Sequence, residues 1–430
     1  MASNKGGFDL QTCVRPNILK LQPYRCARDD YKDDGTNILL DANENAYGPP
    51  SYISGQGKKA IEVTGVDLHE LNRYPDPHQR DLKQLLCNLR NTHAHTPSNL
   101  TPDNLFVGVG SDEAIDALQR CFCVPGRDKV LICPPTYGMY TVSACVNDLS
   151  VVSVPLDPHD FSLRPSAINA QLSADPTIKL IFICSPGNPT GRLIQKSAIE
   201  TVLRHSTWNG IVALDEAYVD FAAEGASLAE WVLEWPNLVV MQTLSKAFGL
   251  AGIRLGAAFA SAGVARLLNN FKAPYNVSDP TSQIASAALG KEGLASMRVN
   301  RGKILEQRER LLVELMKIPG VGRLLGGLDS NFLLVEMLDG PRDQGGRPSN
   351  QTALKVYESL AEHHQVVVRF RGKEPGCLGC LRITIGTESE VNKFLERITV
   401  VLAGILDGRE QVNGVAEEVR KENQANGVVA

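Results

Sequence analysis

Neither sign of charge dominates this chain of 430 residues, in which 44 lysines and arginines face 48 aspartates and glutamates for a formal net charge of −4. Bulk electrostatics therefore offers nucleic acid no hold, and an anionic ligand would need locally placed arginines. Long apolar runs are missing too. The N-terminus, Met1-Ala2-Ser3-Asn4-Lys5-Gly6-Gly7, is polar, so neither a signal peptide nor a membrane span is expected. Ten cysteines are scattered without a secretory framework. Cys377-Leu378-Gly379-Cys380 is the only Cys-x-x-Cys pair, and no second pair or nearby histidine completes a metal set, so no metal is expected. Internal repeats and coiled-coil heptads are absent as well. What is left is an ordinary globular composition, 43% hydrophobic and 21% charged, with reduced thiols suited to the cytoplasm. The length exceeds what one core usually supports, so two packed domains are expected.

The richest stretch runs from Leu238 to Arg254. Its opening Leu238-Val239-Val240-Met241 reads as a buried strand, and Thr243 and Ser245 then flank Lys246 before a glycine-interrupted loop reaches Arg254. A lysine just past a buried strand sits where open α/β sheets bind ligands. Desolvation there can strip its proton and let it attack a carbonyl as a Schiff-base amine. Arg254 and the hydroxyls suit a phosphate. A surface lysine in a flexible loop is the plain alternative. The pattern Ser245-Lys246-Ala247-Phe248-Gly249-Leu250-Ala251-Gly252-x-Arg254 resembles the pyridoxal-phosphate lysine loop of the class I and II aminotransferases.

Further strand candidates fall at Leu105–Val109, Lys129–Cys133, Val151–Val154, Leu180–Cys184, Ile211–Leu214 and Leu255–Ala260, separated by loops or helical segments such as Ser197–Arg204 and Leu228–Glu234. This alternation predicts a mostly parallel sheet covered on both faces. Polar clusters follow the strands: Pro134-Pro135-Thr136-Tyr137, Ser185-Pro186-Gly187-Asn188-Pro189-Thr190-Gly191, Asp215-Glu216-Ala217-Tyr218 and Lys246. All four would share one sheet edge. After Leu105–Val109, Ser111 or Asp112 is expected to cap a helix whose free amides form an anion site. Glu113 occupies the place of the third glycine in Gly-x-Gly-x-x-Gly, which disfavours a dinucleotide.

A long helix is expected from Gly293 to Met316. Beyond it, strand candidates at Asn331–Val335, Val366–Phe370 and Leu381–Ile385 and helices at Thr352–His363 and Glu388–Leu406 predict a second, α+β domain. The division expected is an arm at 1–35, a joining segment at 36–72, a large domain at 73–325, a small domain at 326–410 and a loose tail at 411–430. Locally, the segment Asp41–Pro49 reads as a turn-rich loop.

In combination, Asp41-Ala42-Asn43-Glu44-Asn45-x-Tyr47-Gly48-Pro49, Arg73-Tyr74-Pro75-Asp76, Gly110-Ser111-Asp112-Glu113, Ser185–Gly191, Asp215–Tyr218, the lysine loop and Cys380-Leu381-Arg382-Ile383-Thr384-Ile385-Gly386 resemble the histidinol-phosphate aminotransferases over residues 20–405. These are fold-type-I pyridoxal-phosphate enzymes. The fold implied is α/β, a large mixed and mostly parallel sheet sandwiched by helices plus a smaller α+β domain. The resemblance implies pyridoxal 5′-phosphate on Lys246, its ring nitrogen on Asp215 and its phenolic oxygen near Tyr218 and Asn188. Tyr137 would lie against the ring, and Ser111, Asp112, Glu113, Thr243, Ser245 and Arg254 would gather at the phosphate end. It implies a homodimer in which Tyr74 reaches the neighbouring subunit's phosphate. Tyr24, Asn43, Asn188, Arg369 and Arg382 would meet the substrates, with Arg382 on the co-substrate carboxylate and Tyr24 and Arg369 on a substrate phosphate. The reaction implied moves the amino group of L-histidinol phosphate to 2-oxoglutarate, in histidine biosynthesis. Rival readings are a decarboxylase or lyase of the same fold, an aromatic aminotransferase, and a silent binding protein. Ala46 stands where the family usually has proline, and residues 51–69 are long for it.

Overall fold

The structure, a computed structural model, describes residues 36–49 and 71–408, together with residues 19 and 31. Tyr24, most of the expected arm, residues 51–69 and the tail from 411 lie outside the described residues. The strands are β1 (Ile38–Leu39), β2 (Leu105–Val109), β3 (Lys129–Ile132), β4 (Ser150–Ser153), β5 (Ile178–Cys184), β6 (Ile211–Asp215), β7 (Leu238–Thr243), β8 (Leu255–Ala260), β9 (Val321–Leu325), β10 (Phe332–Met337), β11 (Val366–Val367), β12 (Arg369–Phe370) and β13 (Cys380–Thr384). The α-helices are α1 (Arg80–Arg90), α2 (Gly110–Phe122), α3 (Met139–Val146), α4 (Pro165–Ala174), α5 (Lys196–Leu203), α6 (Ala262–Phe271), α7 (Asp279–Leu289), α8 (Lys291–Glu314), α9 (Asn350–His363) and α10 (Glu388–Leu406).

Seven strands form one sheet in the order β2-β8-β7-β6-β5-β3-β4. Pairings from β7 through β4 are parallel, and β8 runs antiparallel to both β2 and β7. Because side chains alternate along a strand, each central strand feeds two cores. In β5, Leu180 and Phe182 pack with Ala114, Leu118, Tyr140 and Leu268 from α2, α3 and α6. Ile181 and Ile183 turn the other way, toward Leu82 and Leu86 of α1, Ile168 of α4 and Ile199 of α5. Burial on both faces is why these strands read as unbroken apolar runs rather than alternating ones.

A second, antiparallel sheet has the order β12-β13-β10-β9. Its Phe332, Leu334 and Ile383 belong to the same continuous core as α1 and β5. β1 pairs in parallel with β11, setting Ile38 opposite Val366 and Leu39 opposite Val367. This pairing leads the chain directly into the Asp41–Pro49 loop between the two sheets.

The structure revises several sequence expectations. α2 starts at Gly110 behind Val109, with no side-chain cap, so neither Ser111 nor Asp112 is the cap. The carboxylate of Glu113 reaches back to the Val109 N–H instead. The segment expected as one strand, Val366–Phe370, breaks at Val368 into β11 and β12, which join different sheets. The helical segment expected at Leu228–Glu234 is a 3₁₀ helix at Ala229–Leu233. The long helix runs Lys291–Glu314 and tightens into a 3₁₀ turn at Leu315–Lys317. Among the described residues, no helix is long and apolar enough to cross a membrane.

Candidate active site

β3, β5, β6 and β7 are mutually parallel, so their carboxyl ends, and the residues that follow them, lie along one edge of the sheet. β2 ends on the same edge, and antiparallel β8 begins there. A cavity of about 180 Å³ opens at this edge. Ser111, Asp112, Tyr137, Asn188, Asp215, Tyr218, Thr243, Ser245, Lys246 and Arg254 all line it.

Lys246 follows β7 by three residues, and its Nζ donates to the Ala42 carbonyl at 3.0 Å. Burial pushes its pKa down to about 8, and the Arg382 guanidinium pushes the same way. Removing an ammonium from water disfavours its charged form, so this amine is primed to act as a nucleophile and base. Asp215, the last residue of β6, is buried and accepts hydrogen bonds from Tyr140 Oη at 2.7 Å and the Ala217 N–H at 3.1 Å. Burial raises its pKa to about 6 against the opposing pull of those hydrogen bonds. A carboxylate held so far from water needs a cationic partner.

Tyr218 Oη accepts from Asn43 Nδ2 at 2.9 Å, and burial raises the phenol's pKa. Asn43 is tied in turn to β13, where Thr384 Oγ1 donates to its Oδ1 at 3.1 Å. Arg382, also on β13 and 4% exposed, donates through Nη1 to Asn188 Oδ1 at 2.6 Å and through Nη2 to the Asp41 carbonyl. The small sheet thus holds Arg382 and Asn43 behind the cavity, each bonded to a residue that lines it, Asn188 and Tyr218.

At the other end of the cavity, α2 starts beside Arg254. The Gly110 N–H donates to the Arg254 carbonyl at 3.1 Å, and Arg254 Nη2 pairs with Asp112 Oδ2 at 3.1 Å. Two backbone features permit this approach. Arg254 adopts a left-handed φ of 54°, and Gly256 lies so near α2 that a Cβ there would meet the Gly110 carbonyl carbon at 2.3 Å. Thr243 Oγ1 donates to Ser245 Oγ at 2.9 Å, completing a rim of two hydroxyls, a helix N-terminus and a guanidinium. Such a rim holds a phosphate. Amine, buried carboxylate and phosphate rim together fit a phosphorylated aldehyde with a basic ring nitrogen.

The aminotransferase class I and II family matches residues 36–398 of the chain. The chain belongs to this family. It is 53% identical over 395 residues to the histidinol-phosphate aminotransferase of Schizosaccharomyces pombe, an alignment covering 92% of this chain and 98% of that protein. With the Saccharomyces cerevisiae histidinol-phosphate aminotransferase it shares 49% identity over 392 residues, covering 89% and 95%. The fold is similar to the crystal structure of histidinol-phosphate aminotransferase from Sinorhizobium meliloti in complex with pyridoxal-5′-phosphate. There the TM-score is 0.76 at 21% identity, with 92% of this chain and 98% of that one covered.

Five described residues that the resemblance assigned to ligands in this aminotransferase do not line the cavity: Arg382 and Asn43 touch it only through Asn188 and Tyr218, and the three others are Glu113, Tyr74 and Arg369. Glu113 Oε1 accepts from Asn276 Nδ2 at 3.2 Å and, with the Val109 contact, serves the backbone at the start of α2. Tyr74 is 81% exposed and stacks on Tyr275 with ring centroids 4.5 Å apart. Arg369, on β12, stands opposite Arg382 in the β12–β13 register and does not line the cavity. One contributor escaped the sequence reading altogether. Tyr140 lies three residues beyond Tyr137, in the first turn of α3, and its Asp215 partner is 75 residues away. That i, i+3 aromatic pair, Tyr137 and Tyr140, was the available signal.

Proposed function

We propose that this family member is a pyridoxal 5′-phosphate-dependent histidinol-phosphate transaminase, moving the amino group of L-histidinol phosphate to 2-oxoglutarate. The products are imidazole-acetol phosphate and L-glutamate, a step of L-histidine biosynthesis. Supporting it is the meeting of Lys246, Asp215 and the Arg254 rim around one cavity, in a chain 49–53% identical to curated enzymes of that name.

When bound, pyridoxal phosphate supplies an electron sink for the substrate Cα–H bond. Asp215 would keep a negative charge at the cofactor's ring nitrogen, and Tyr218 and Asn188 would hold its phenolic oxygen. Ser111, Asp112, Thr243, Ser245 and Arg254 would share its phosphate end, Tyr137 would lie against its ring, and Glu113 ties the β2–α2 junction just before Ser111. Lys246 Nζ, as a free amine, would take the proton from the substrate Cα and hold it for return. A placed base of this kind contributes on the order of a hundred- to ten-thousand-fold. Arg382 holds the carboxylate of 2-oxoglutarate or glutamate, with Asn188 and Asn43 beside it. Arg369 and Tyr24 take the phosphate of histidinol phosphate. The chain works as a homodimer in which Tyr74 completes the partner's phosphate site; its exposed stack on Tyr275 offers the surface. Free thiols at Cys87, Cys121, Cys133 and Cys145 support a cytoplasmic setting.

The substrate claim is tested by offering cofactor-loaded protein a panel of amines and following the cofactor's visible absorption. Histidinol phosphate should convert the cofactor to its amine form far faster than histidinol or aromatic amino acids do. Arg369→Ala should cost histidinol phosphate about tenfold or more, since a charge-assisted contact is lost, and leave unphosphorylated amines little changed. Equal losses on both would remove Arg369 from phosphate recognition, and carbon dioxide release from a phosphorylated amino acid would point to a decarboxylase instead.

A further inference from the structure

Tyr140 has no role in the scheme above, yet it is one of the most completely enclosed aromatics in the molecule, at 0% exposure. Its ring lies parallel to Phe182 of β5, with centroids 4.6 Å apart and planes 5° from coplanar. Tyr137 meets it edge-on at 5.6 Å and 89°. The backbone is anchored as well, because Gln119 Nε2 on α2 donates to the Tyr140 carbonyl at 3.2 Å. Only the hydroxyl is left to do chemistry. It donates to Asp215 Oδ2 at 2.7 Å.

We propose that Tyr140 is the positioning residue of the ring-nitrogen carboxylate: its hydroxyl fixes the Asp215 rotamer from behind and stabilises the carboxylate by hydrogen bonding. The geometry divides the work between the two oxygens. Oδ1 takes the Ala217 N–H and Oδ2 takes Tyr140 Oη. A carboxylate oxygen accepts more than one donor, so both retain capacity toward the cavity. The same tyrosine buttresses Tyr137, whose Oη donates to Asp112 Oδ1 at 3.2 Å at the phosphate end. One side chain therefore braces the ring-nitrogen carboxylate and the aromatic against the ring face, while its backbone is tied to the helix whose start cradles the phosphate.

The other ionisable groups facing Asp215 do not replace this donor. Asp112 at the start of α2 disfavours the Asp215 charge, and Lys246 after β7 favours it only as a lesser influence. The Cys184 thiol at the end of β5 and the Tyr218 phenol are both held protonated by burial. Desolvation is the largest influence on Asp215, and the Tyr140 hydrogen bond is the first of those that oppose it.

This inference rests on the proposed function only for what Asp215 serves; its first readout needs no cofactor. In the apoprotein, the infrared band of the protonated Asp215 carboxyl, identified as the band that Asp215→Asn removes, is followed against pH. Tyr140→Phe keeps the ring stack and deletes the donor. The midpoint is expected to move up by about one pH unit, the worth of one hydrogen bond to a charged acceptor. With cofactor loaded, kcat should fall severalfold with KM for histidinol phosphate little changed. If Tyr140→Phe does not fold, fluorotyrosine placed at position 140, a more acidic donor, should move the midpoint down. An unmoved midpoint in either variant overturns the role of Tyr140, even in a fully active enzyme. Absence of transamination from the parent protein, with the midpoint shift intact, counts against the functional reading alone.

Discussion

At Asp215 and Lys246 burial moves the pKa in opposite directions, up for the carboxyl and down for the amine, and in both it disfavours the charged form. Burial pushes Asp215 up to about 6 in the folded protein against 3.8 ordinarily. Between those values the folded chain keeps a proton that the unfolded chain has lost, so stability falls as pH rises from about 4 to 6. The full loss is about 3 kcal/mol, at 1.36 kcal/mol per pH unit. Urea unfolding of the apoprotein should show that slope, and Asp215→Asn should flatten it. A slope unchanged in the variant would place its origin in other groups. Asp215 was visible in the sequence because it ends the apolar run of β6, and Lys246 because it follows the apolar opening of β7 within a glycine-interrupted loop. Tyr140 was not, since its spacing from Tyr137 marks an aromatic pair but does not announce a hydrogen bond to a residue 75 positions on.

The cavity's phosphate end is a property of elements rather than of any one side chain. β8 returns antiparallel between β2 and β7, which sets Gly256 against the first residues of α2 and places Arg254 at the helix N-terminus. Gly256→Ala puts a methyl 2.4 Å from the Ser111 nitrogen, against backbone that cannot swing away. Cofactor titration should show affinity weakened by about tenfold or more, roughly 1.4 kcal/mol. Gly302→Ala on α8, where a Cβ meets nothing within 4 Å, is the neutral control. Identical affinities in the two variants would mean that the β8–α2 contact does not shape the rim.

Legibility at this scale followed burial. β2, β3 and β5 to β8 were readable to within a few residues because buried strands are continuous apolar runs, whereas the edge strand β4 showed only through Val151 and Val152. α1, α3, α4, α6 and α7 were missed. α3, Met139–Val146, is apolar almost throughout and offers no face, and α4, Pro165–Ala174, is mostly small residues. The start of α2 was misassigned because a glycine with a φ of 71° begins the helix without any side-chain cap. The break at Val368 was hidden, since both halves of Val366–Phe370 are strand and only their partners differ.

Across the whole molecule, two sheets of different kinds share one core, and the Asp41–Pro49 loop lies where they meet. Arg382 and Asn43 meet the lining residues Asn188 and Tyr218 from the side of the small sheet, while Lys246 and Asp215 come from the large one, so neither sheet alone holds the complete set. Tyr74, far out on the surface beside Tyr275, belongs to the proposed dimer. Hybrid dimers provide the check. When Tyr74→Ala and Lys246→Ala chains are unfolded, mixed and refolded, a hybrid carries one site with both Lys246 and the partner's Tyr74. Activity should then exceed the sum of the two parents. Strictly additive activity would rule out sharing of sites between subunits.

The most direct measurement is single-turnover transfer from histidinol phosphate in Lys246→Ala protein saturated with non-covalently bound pyridoxal phosphate. The proton at Cα should then move slower than in the parent by about a hundred- to ten-thousand-fold, with substrate binding retained and glutamate formation failing in step. A rate within twofold of the parent would show that the amine at position 246 is not the base, and the assignment of this cavity would fall with it.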